Sequence, residues 1–402
     1  MKPMSMEDVT KHLTKRKQAG IVYDLTRIQT LLEAMGNPQD QIPCIHIAGT
    51  NGKGSTSAYT VAALVAQGLQ VGAFNSPVFG DVHEHVTING VPLARELFLA
   101  HAGAYEERVN DVEERLGQVV SEFEWLVGLA CFIFDRVQPV DIVVLETGMG
   151  GRLDATNVVT QPVATAITNV GLDHQAYLGE TLSAIAREKA GIMRPVVPCF
   201  TAATGEVFAV LKQEAMQQGA AIKQVAAIDT PWQLTMAGAH QQANASLAYE
   251  LTKAAGDELG FTVSPGAFQQ AVKSVQVPGR FETILEKPKV ILDTGHNMEA
   301  IEAVIAELNR QQLKPAVLFA AMKDKRADEM LKQLEEVASH VTVTTFDHPR
   351  AMPLSALPDG YKQVTDVKKW LSDWLRNAHV HETLLITGSH QFIAEMREFF
   401  SG

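Results

Sequence analysis

Ile45-His46-Ile47-Ala48 runs directly into Gly49-Thr50-Asn51-Gly52-Lys53-Gly54-Ser55, and an apolar stretch with helical spacing follows. A short β-branched run, a glycine-rich turn and a helix start in that order make a strand–turn–helix unit. Glycines let the turn fold tightly enough to aim its backbone N–H groups inward, where the helix N-terminus adds partial positive charge. Lys53 is placed to meet β/γ-phosphates and the Ser55 hydroxyl to meet Mg²⁺. The spacing departs from the usual phosphate loop by one residue, because Gly54 stands between the lysine and the serine. The set Gly49, Thr50, Asn51, Gly52, Lys53, Gly54 and Ser55 therefore points to ATP. An ordinary glycine-rich strand–helix turn is the competing reading.

Outward from this unit, Val/Ile-rich runs alternate with helical stretches, the rhythm of a parallel sheet covered by helices. Buried strands are expected at 43–48, 71–74, 141–146 and 163–168, with helices at 55–67 and 122–134. The alternation restarts towards the C-terminus, with strands expected at 290–293, 316–321, 341–346 and 384–387. Helices are expected there at 299–309, 327–338, 367–375 and 393–400. A Pro-Gly signal in Val275-Gln276-Val277-Pro278-Gly279-Arg280-Phe281 marks a join. The expected fold is α/β with two domains: an N-terminal P-loop, parallel-sheet, ATPase-like domain over 1–276 and a smaller C-terminal Rossmann-like α/β domain over 277–402. Residues 220–238 are the hardest to read. Glu146 closes the 141–146 run, at the strand end where ligands of open α/β sheets sit, and is the natural carboxylate partner of a phosphate loop.

The 402 residues suit two or three domains, and 46% hydrophobic with 20% charged residues is the balance of a folded chain. With 34 Lys+Arg against 46 Asp+Glu, the net charge of −12 offers no basic surface for nucleic acid or anionic lipid. Any anion must be held locally. Three cysteines (Cys44, Cys131, Cys199) without paired spacing exclude a disulfide framework or a zinc knuckle and fit a reducing compartment. No apolar run reaches the ~18 residues of a membrane span, and the first residues lack the apolar core of a signal peptide. The expectation is a cytoplasmic protein with no membrane partner.

Further motifs follow in order: Asn75-Ser76-Pro77; Leu145–Val158 (LETGMGGRLDATNV); Gly171–Gly179 (GLDHQAYLG); Ala186–Met193 (AREKAGIM); Pro278–Glu282 (PGRFE); Leu292–Asn297 (LDTGHN); and Gly388-Ser389. Together with Arg27–Gln39 upstream, this ordered set resembles the folylpolyglutamate synthase/dihydrofolate synthase branch of the Mur ligase family over about nine-tenths of the chain. The resemblance implies a two-domain ATP-dependent amide ligase. ATP would phosphorylate a carboxylate of dihydropteroate, or of a reduced folate and its polyglutamates, and the amino group of L-glutamate would displace phosphate. ATP and metal would be held where the domains meet, with closure excluding water from the acyl phosphate. Small-molecule substrates and a monomer are the expected partners and state.

Residue by residue, the resemblance implies that Gly52, Lys53, Gly54 and Ser55 hold the ATP phosphates. Ser55, Ser76 and Glu146 would surround a first Mg²⁺, and His174 would bind a second. Lys189 would be carbamylated to an N6-carboxylysine that helps hold that second metal. Asn244, Arg280 and Asp293 would contact the nucleotide. Phe123, at the start of Ser121-Glu122-Phe123-Glu124-Trp125, would offer a flat face to a pterin beside Arg152 and Asp154, or else be core. His296 and Ser389 would lie in the glutamate or acyl-phosphate region, with His296-Asn297 alternatively capping the next helix.

The sequence departs from the family between Val78 and Gly90: Asp81 and His85 stand where arginines are common, and Glu84 is kept. If those arginines place an anionic substrate, the grip here is weaker or pH-dependent. His83 and His85 would share one face of a strand, but a metal pair there lacks a third ligand. Thr294-Gly295, Met298, His390-Gln391 and a shortened stretch before Gly238 are further departures. They leave open an amino-acid ligase acting on a non-pterin carboxylate, or a nucleotide-binding protein without ligase activity.

Overall fold

The structure, a computed structural model, describes residues 4–17, 24–226 and 231–401. The chain divides into two units, one of Met1–Gln233 with Ala243–Val275, the other of Leu234–Gln242 with Gln276–Gly402. In chain order the first unit carries α1 (Met6–Lys17), α2 (Thr26–Ala34), β1 (Cys44–Ala48), α3 (Lys53–Val65), β2 (Val71–Phe74), β3 (Val86–Ile88), β4 (Val91–Pro92), α4 (Arg95–Leu116) and α5 (Glu122–Phe132). It continues with β5 (Ile142–Glu146), β6 (Ala164–Ile167), α6 (Gln175–Leu178), α7 (Leu182–Ala190), β7 (Pro198–Thr201), α8 (Gly205–Gln218), β8 (Ala221–Gln224), α9 (His240–Leu259), which begins in the second unit, and α10 (Pro265–Val272).

The eight strands lie in the order β4-β3-β2-β5-β1-β6-β7-β8. β2, β5, β1, β6, β7 and β8 are parallel, and β3 and β4 add an antiparallel edge. β1 and β5 are buried along their whole length, as expected of strands covered on both faces. One face packs Leu31 of α2, Tyr105 of α4 and Trp125 of α5, and the other packs Leu64 of α3 with Leu247 and Leu251 of α9. Each fully buried side chain of this kind stabilises by about 1.5–3 kcal/mol. α5 starts sharply because Ser121 and Glu124 form a reciprocal capping box, and the Glu124 carboxylate also pairs with Arg27 at 2.9 Å. The connections leaving β1 and β5 run in opposite directions, to β2 and across β1 to β6. They open a crevice at the carboxyl ends of these neighbouring strands.

The second unit carries β9 (Glu282–Glu286), β10 (Lys289–Leu292), α11 (Met298–Arg310), β11 (Ala316–Phe319), α12 (Ala327–Glu335), β12 (His340–Thr344), β13 (Lys362–Val364), α13 (Val367–Asn377), β14 (Thr383–Thr387) and α14 (His390–Ser401). Its sheet has the order β13-β12-β11-β14-β10-β9, parallel except for β9. Ile291, Val317, Val343 and Leu385 point into a core shared with Ile301 and Leu331.

The α/β class with two largely parallel sheets is as expected, and the named strands fall within two residues of their expected limits. Part of the poorly legible stretch, 227–230, lies outside the described residues; within the rest, Ala221–Gln224 is a strand at the sheet edge. Among the described residues no helix is long and apolar enough to cross a membrane.

Candidate active site

The phosphate loop leaves the carboxyl end of β1, between β5 and β6. Gly52 sits at φ +86° just before α3, and a Cβ there would lie 2.4 Å from Asn244 Oδ1. A Cβ on Gly49 would lie 1.8 Å from Thr168 Oγ1. The glycines are thus required by close neighbours as well as by the turn. The loop is fastened to the segment after β6. Thr50 N–H donates to Asn169 O (3.0 Å), Asn51 N–H to Asn169 Oδ1 (2.7 Å) and Thr168 Oγ1–H to Asn51 O (2.6 Å). Lys53 Nζ folds back to donate to Gly49 O at 3.0 Å and Thr50 O at 3.4 Å, which keeps the ammonium over the loop.

Glu146 reaches the same place from β5. A Cβ on Gly54 would lie 3.6 and 3.8 Å from its two carboxylate oxygens, so the acid abuts the loop. Pairing of Phe74 with Leu145 brings Asn75 and Ser76 out of β2 on the same edge, with a cis peptide between Ser76 and Pro77. Ser55 and Glu146 are buried, and beside them the buried Thr56 and Thr147 hydroxyls have no hydrogen-bond partner in the protein. Among the described residues no group of three or more His, Cys, Asp or Glu side chains could hold a metal by itself. The Ser55 and Ser76 hydroxyls and the Glu146 carboxylate are instead oxygen donors of the kind that Mg²⁺ takes together with phosphate oxygens and water. The donor chemistry fits that ion.

Lys189, on α7, is 2% exposed. Burial, reinforced by the positive charge of Lys53, brings its amine down from 10.5 to about 7, while Asp173 and Asp154 pull the other way. A buried lysine that is half neutral at neutral pH is an available nucleophile. Gly151 is pressed onto the end of α7, since a Cβ there would lie 2.8 Å from both Glu188 O and Lys189 O. Arg152 N–H donates to Glu188 O at 2.8 Å, and the half-exposed Arg152 guanidinium grips Glu188 Oε1 at 2.8 and 3.1 Å. Both oxygens of Asp154 are engaged by its own loop, by Met149 N (2.8 Å), Thr156 N (3.0 Å) and Thr156 Oγ1 (2.6 Å). Burial nonetheless pushes that carboxyl up, against these bonds and the Lys53 charge. His174 adopts φ +51°, its N–H donating to Asp173 Oδ1 at 2.8 Å.

Two supporting groups were not singled out from sequence. Arg194 ties the segment after α7 to the segment between β5 and β6, donating to Gly191 O, Met193 O, Asn157 O, Asn157 Oδ1 and Val159 O at 2.7–3.2 Å. His46 Nε2 meets Thr156 Oγ1 at 2.8 Å inside the core, and burial, then the Arg194 charge, lowers its imidazole to about 3. It serves as a neutral core histidine.

Phe123 packs over Gly148, where a Cβ would come within 2.6 Å of the ring, and meets Phe74 edge-on at 5.8 Å. Its partly buried ring therefore lies beside the end of β5. Residues 82–85 form a 3-10 turn, a correction to the strand expected there. His83 turns edge-on to Phe98 and His85 stacks on Phe74, so the two imidazoles address different rings. Asp81 pairs with Arg95, and Glu84 Oε2 accepts from Gly80 N at 3.1 Å.

In the second unit, Arg280 Nη1 donates to Thr294 Oγ1 at 2.6 Å. Buried Asp293 accepts from Phe281 N (2.8 Å) and Gly295 N (2.7 Å). Burial pushes its carboxyl up, and the Arg280 charge opposes that. His296 Nδ1 lies 2.9 Å from Thr294 O, while Asn297 caps α11 by accepting from Ala300 N at 3.0 Å. Gly388, at φ +114°, has no room for a Cβ because Ala320 O would be 2.4 Å away, and buried Ser389 follows it. The carboxyl ends of the neighbouring strands β10 and β14 thus carry Asp293 and His296 on one and Ser389 on the other.

The Mur ligase, glutamate ligase domain family matches residues 279–390. The Bacillus subtilis dihydrofolate synthase/folylpolyglutamate synthase is 32% identical over 98% of this chain and 98% of its own. Among solved structures, Mycobacterium tuberculosis folylpolyglutamate synthase complexed with ADP superposes with a TM-score of 0.88 at 28% identity, covering 99% of this chain and 98% of that one. Escherichia coli FolC in complex with DHPP and ADP gives 0.85 at 26% identity, covering 98% and 97%. With the loop, strand-end acid and motif order already in place, this chain belongs to the dihydrofolate synthase/folylpolyglutamate synthase family of Mur-type ligases.

Proposed function

We propose that this chain is an ATP-dependent ligase that adds L-glutamate to a folate-type carboxylate. The acceptor is tetrahydrofolate and its polyglutamates, dihydropteroate, or both. The observation that carries this reading is the convergence of the Lys53 ammonium, the folded loop and the Glu146 carboxylate at the carboxyl ends of β1 and β5.

The chemistry follows from the substrates. A carboxylate is a poor electrophile. Transfer of the γ-phosphoryl group of ATP to its oxygen gives ADP and an acyl phosphate. The neutral amine of glutamate attacks the carbonyl carbon, inorganic phosphate leaves with the C–O bond electrons, and the amine loses a proton. Lys53 and the loop N–H groups meet the charge of the migrating phosphoryl group, where preorganised donors act most strongly. Ser55, Ser76 and Glu146 would hold one Mg²⁺, and His174 with a carbamylated Lys189 a second; these ions neutralise phosphate charge when bound. Asn244 contacts the nucleotide side of the loop, and Arg280 and Asp293 are assigned to ATP. Phe123 faces the pterin ring, with Arg152 and Asp154 as its neighbours, while His296 and Ser389 serve the glutamate side. The reading includes a monomer acting in the cytoplasm.

Purified protein with Mg·ATP and glutamate tests it, run with dihydropteroate, with tetrahydrofolate and without acceptor. Phosphate release that requires an acceptor, with a product heavier by one glutamyl residue, is expected. Absence of a glutamate amide on every pterin acceptor refutes it.

A further inference from the structure

Asn75 joins β2 to Ser76, and the structure holds it from two sides. Its N–H donates to His85 O at 3.0 Å and its carbonyl oxygen lies 2.7 Å from His85 Nδ1. Its side-chain Oδ1 accepts from Ser57 Oγ at 3.1 Å, on the first turns of the helix that opens at the phosphate loop. His85 therefore grips the backbone just before Ser76, and Asn75 carries that grip to a residue two positions beyond Ser55. The imidazole is itself fixed, because it stacks on the fully buried Phe74 at 5.7 Å with 20° between planes. A carbonyl oxygen has no proton to give, so Nδ1 must carry it, and Nε2 is the unprotonated nitrogen of the neutral ring.

We infer that His85 is a positioning residue that, through its Nδ1–H bond to Asn75 O, sets the Ser76 hydroxyl against the phosphate-loop helix. This rests on the reading of Ser76 as a Mg²⁺ ligand. The imidazole does not touch the reacting atoms. Its part is to fix the main chain at one donor while Ser57 ties the same residue to the helix bearing another. Supporting hydrogen bonds of this kind orient ligands, and their removal typically costs ~10–100-fold in metal affinity or activity.

Two variants separate the bond from the ring. His85→Phe keeps a flat ring over Phe74 and removes the donor. His85→Asn loses the ring but puts an amide N–H as many bonds from Cα as Nδ1. Calorimetry of ADP binding across a Mg²⁺ titration should show a half-saturating Mg²⁺ concentration raised about tenfold or more in His85→Phe, mostly recovered in His85→Asn. The melting temperature of His85→Phe should stay near that of the wild type. In the ¹⁵N-histidine-labelled full chain at pH 8 without nucleotide, the His85 resonances should report an Nδ1–H tautomer. An Nε2–H tautomer overturns the inference, as does unchanged Mg²⁺ dependence in His85→Phe when Ser76→Ala shifts it. Unchanged dependence in Ser76→Ala overturns the Ser76 reading itself, and the inference with it.

Discussion

Lys189 gives the sharpest quantitative test. Its amine is brought from 10.5 to about 7 by burial first and the Lys53 charge second. At pH 8 about nine-tenths of it is then neutral, against about 0.3% for an ordinary lysine, a gain of roughly 300-fold in the form that captures CO₂. The same shift sets the sign of a stability effect. Below pH 7 both folded and unfolded chains carry the proton, and the buried charge costs on the order of 5 kcal/mol. Between pH 7 and 10.5 the unfolded chain binds more protons, so stability rises with pH and the cost fades. Carbamylation removes the cation and replaces repulsion from Lys53 with attraction. With ¹³C-bicarbonate, ¹³C NMR should show, beside the carbamate of the α-amino group, one protein carbamate signal that grows through pH 7 and levels off above 8. It should be absent from Lys189→Met, whose urea stability should also lose the rise between pH 7 and 10.5. Lys189→Ala should lose activity, partly restored by a small carboxylate such as acetate. Absence of that signal from the wild type at pH 8, or its survival in Lys189→Met, would show that Lys189 is not the carbamylated amine.

Lys53→Ala should lower turnover by about 10²–10³-fold with the melting temperature little changed, because it removes a cation aimed at the phosphates; near wild-type rates in a steady-state assay contradict the loop assignment. Gly52→Ala places a Cβ 2.4 Å from Asn244 Oδ1 at φ +86°. It should cost about 1–3 kcal/mol in denaturant unfolding and weaken ADP binding, and Gly52→Ala/Asn244→Ala should recover only the part due to the clash. Phe123→Ala should raise KM for dihydropteroate by up to about tenfold and leave KM for ATP unchanged; equal effects on both would assign the ring to the core.

The legible parts of this protein share a physical reason: they are encoded locally. β1 and β5 are continuous apolar runs, Gly49–Ser55 is a contiguous turn, and Glu146 ends its strand, so sequence alone places all three. β8 is illegible in the sequence because Ala221-Ile222-Lys223-Gln224 is a largely exposed edge strand without the apolar signature of a central one. The alternation of His83 and His85 mimics period two and predicts a strand face, whereas Glu84 accepts from Gly80 N and the chain turns. The supports of the site were illegible for a different reason. Arg194 reaches Asn157 and Val159, His46 reaches Thr156, and His85 reaches Asn75 across sequence gaps that no local pattern reports. Asp154 shows the same limit from the other side, since its motif marks it as important but only the structure shows its oxygens holding Met149 and Thr156.

In the proposed reaction ATP activates the acceptor carboxylate as an acyl phosphate at the Lys53 loop. A pterin acceptor labelled with ¹⁸O in the reacting carboxylate, turned over with Mg·ATP and glutamate, tests it by mass spectrometry of the released phosphate. One ¹⁸O should transfer to inorganic phosphate for each glutamate added; glutamate addition with unlabelled phosphate rules out the acyl phosphate.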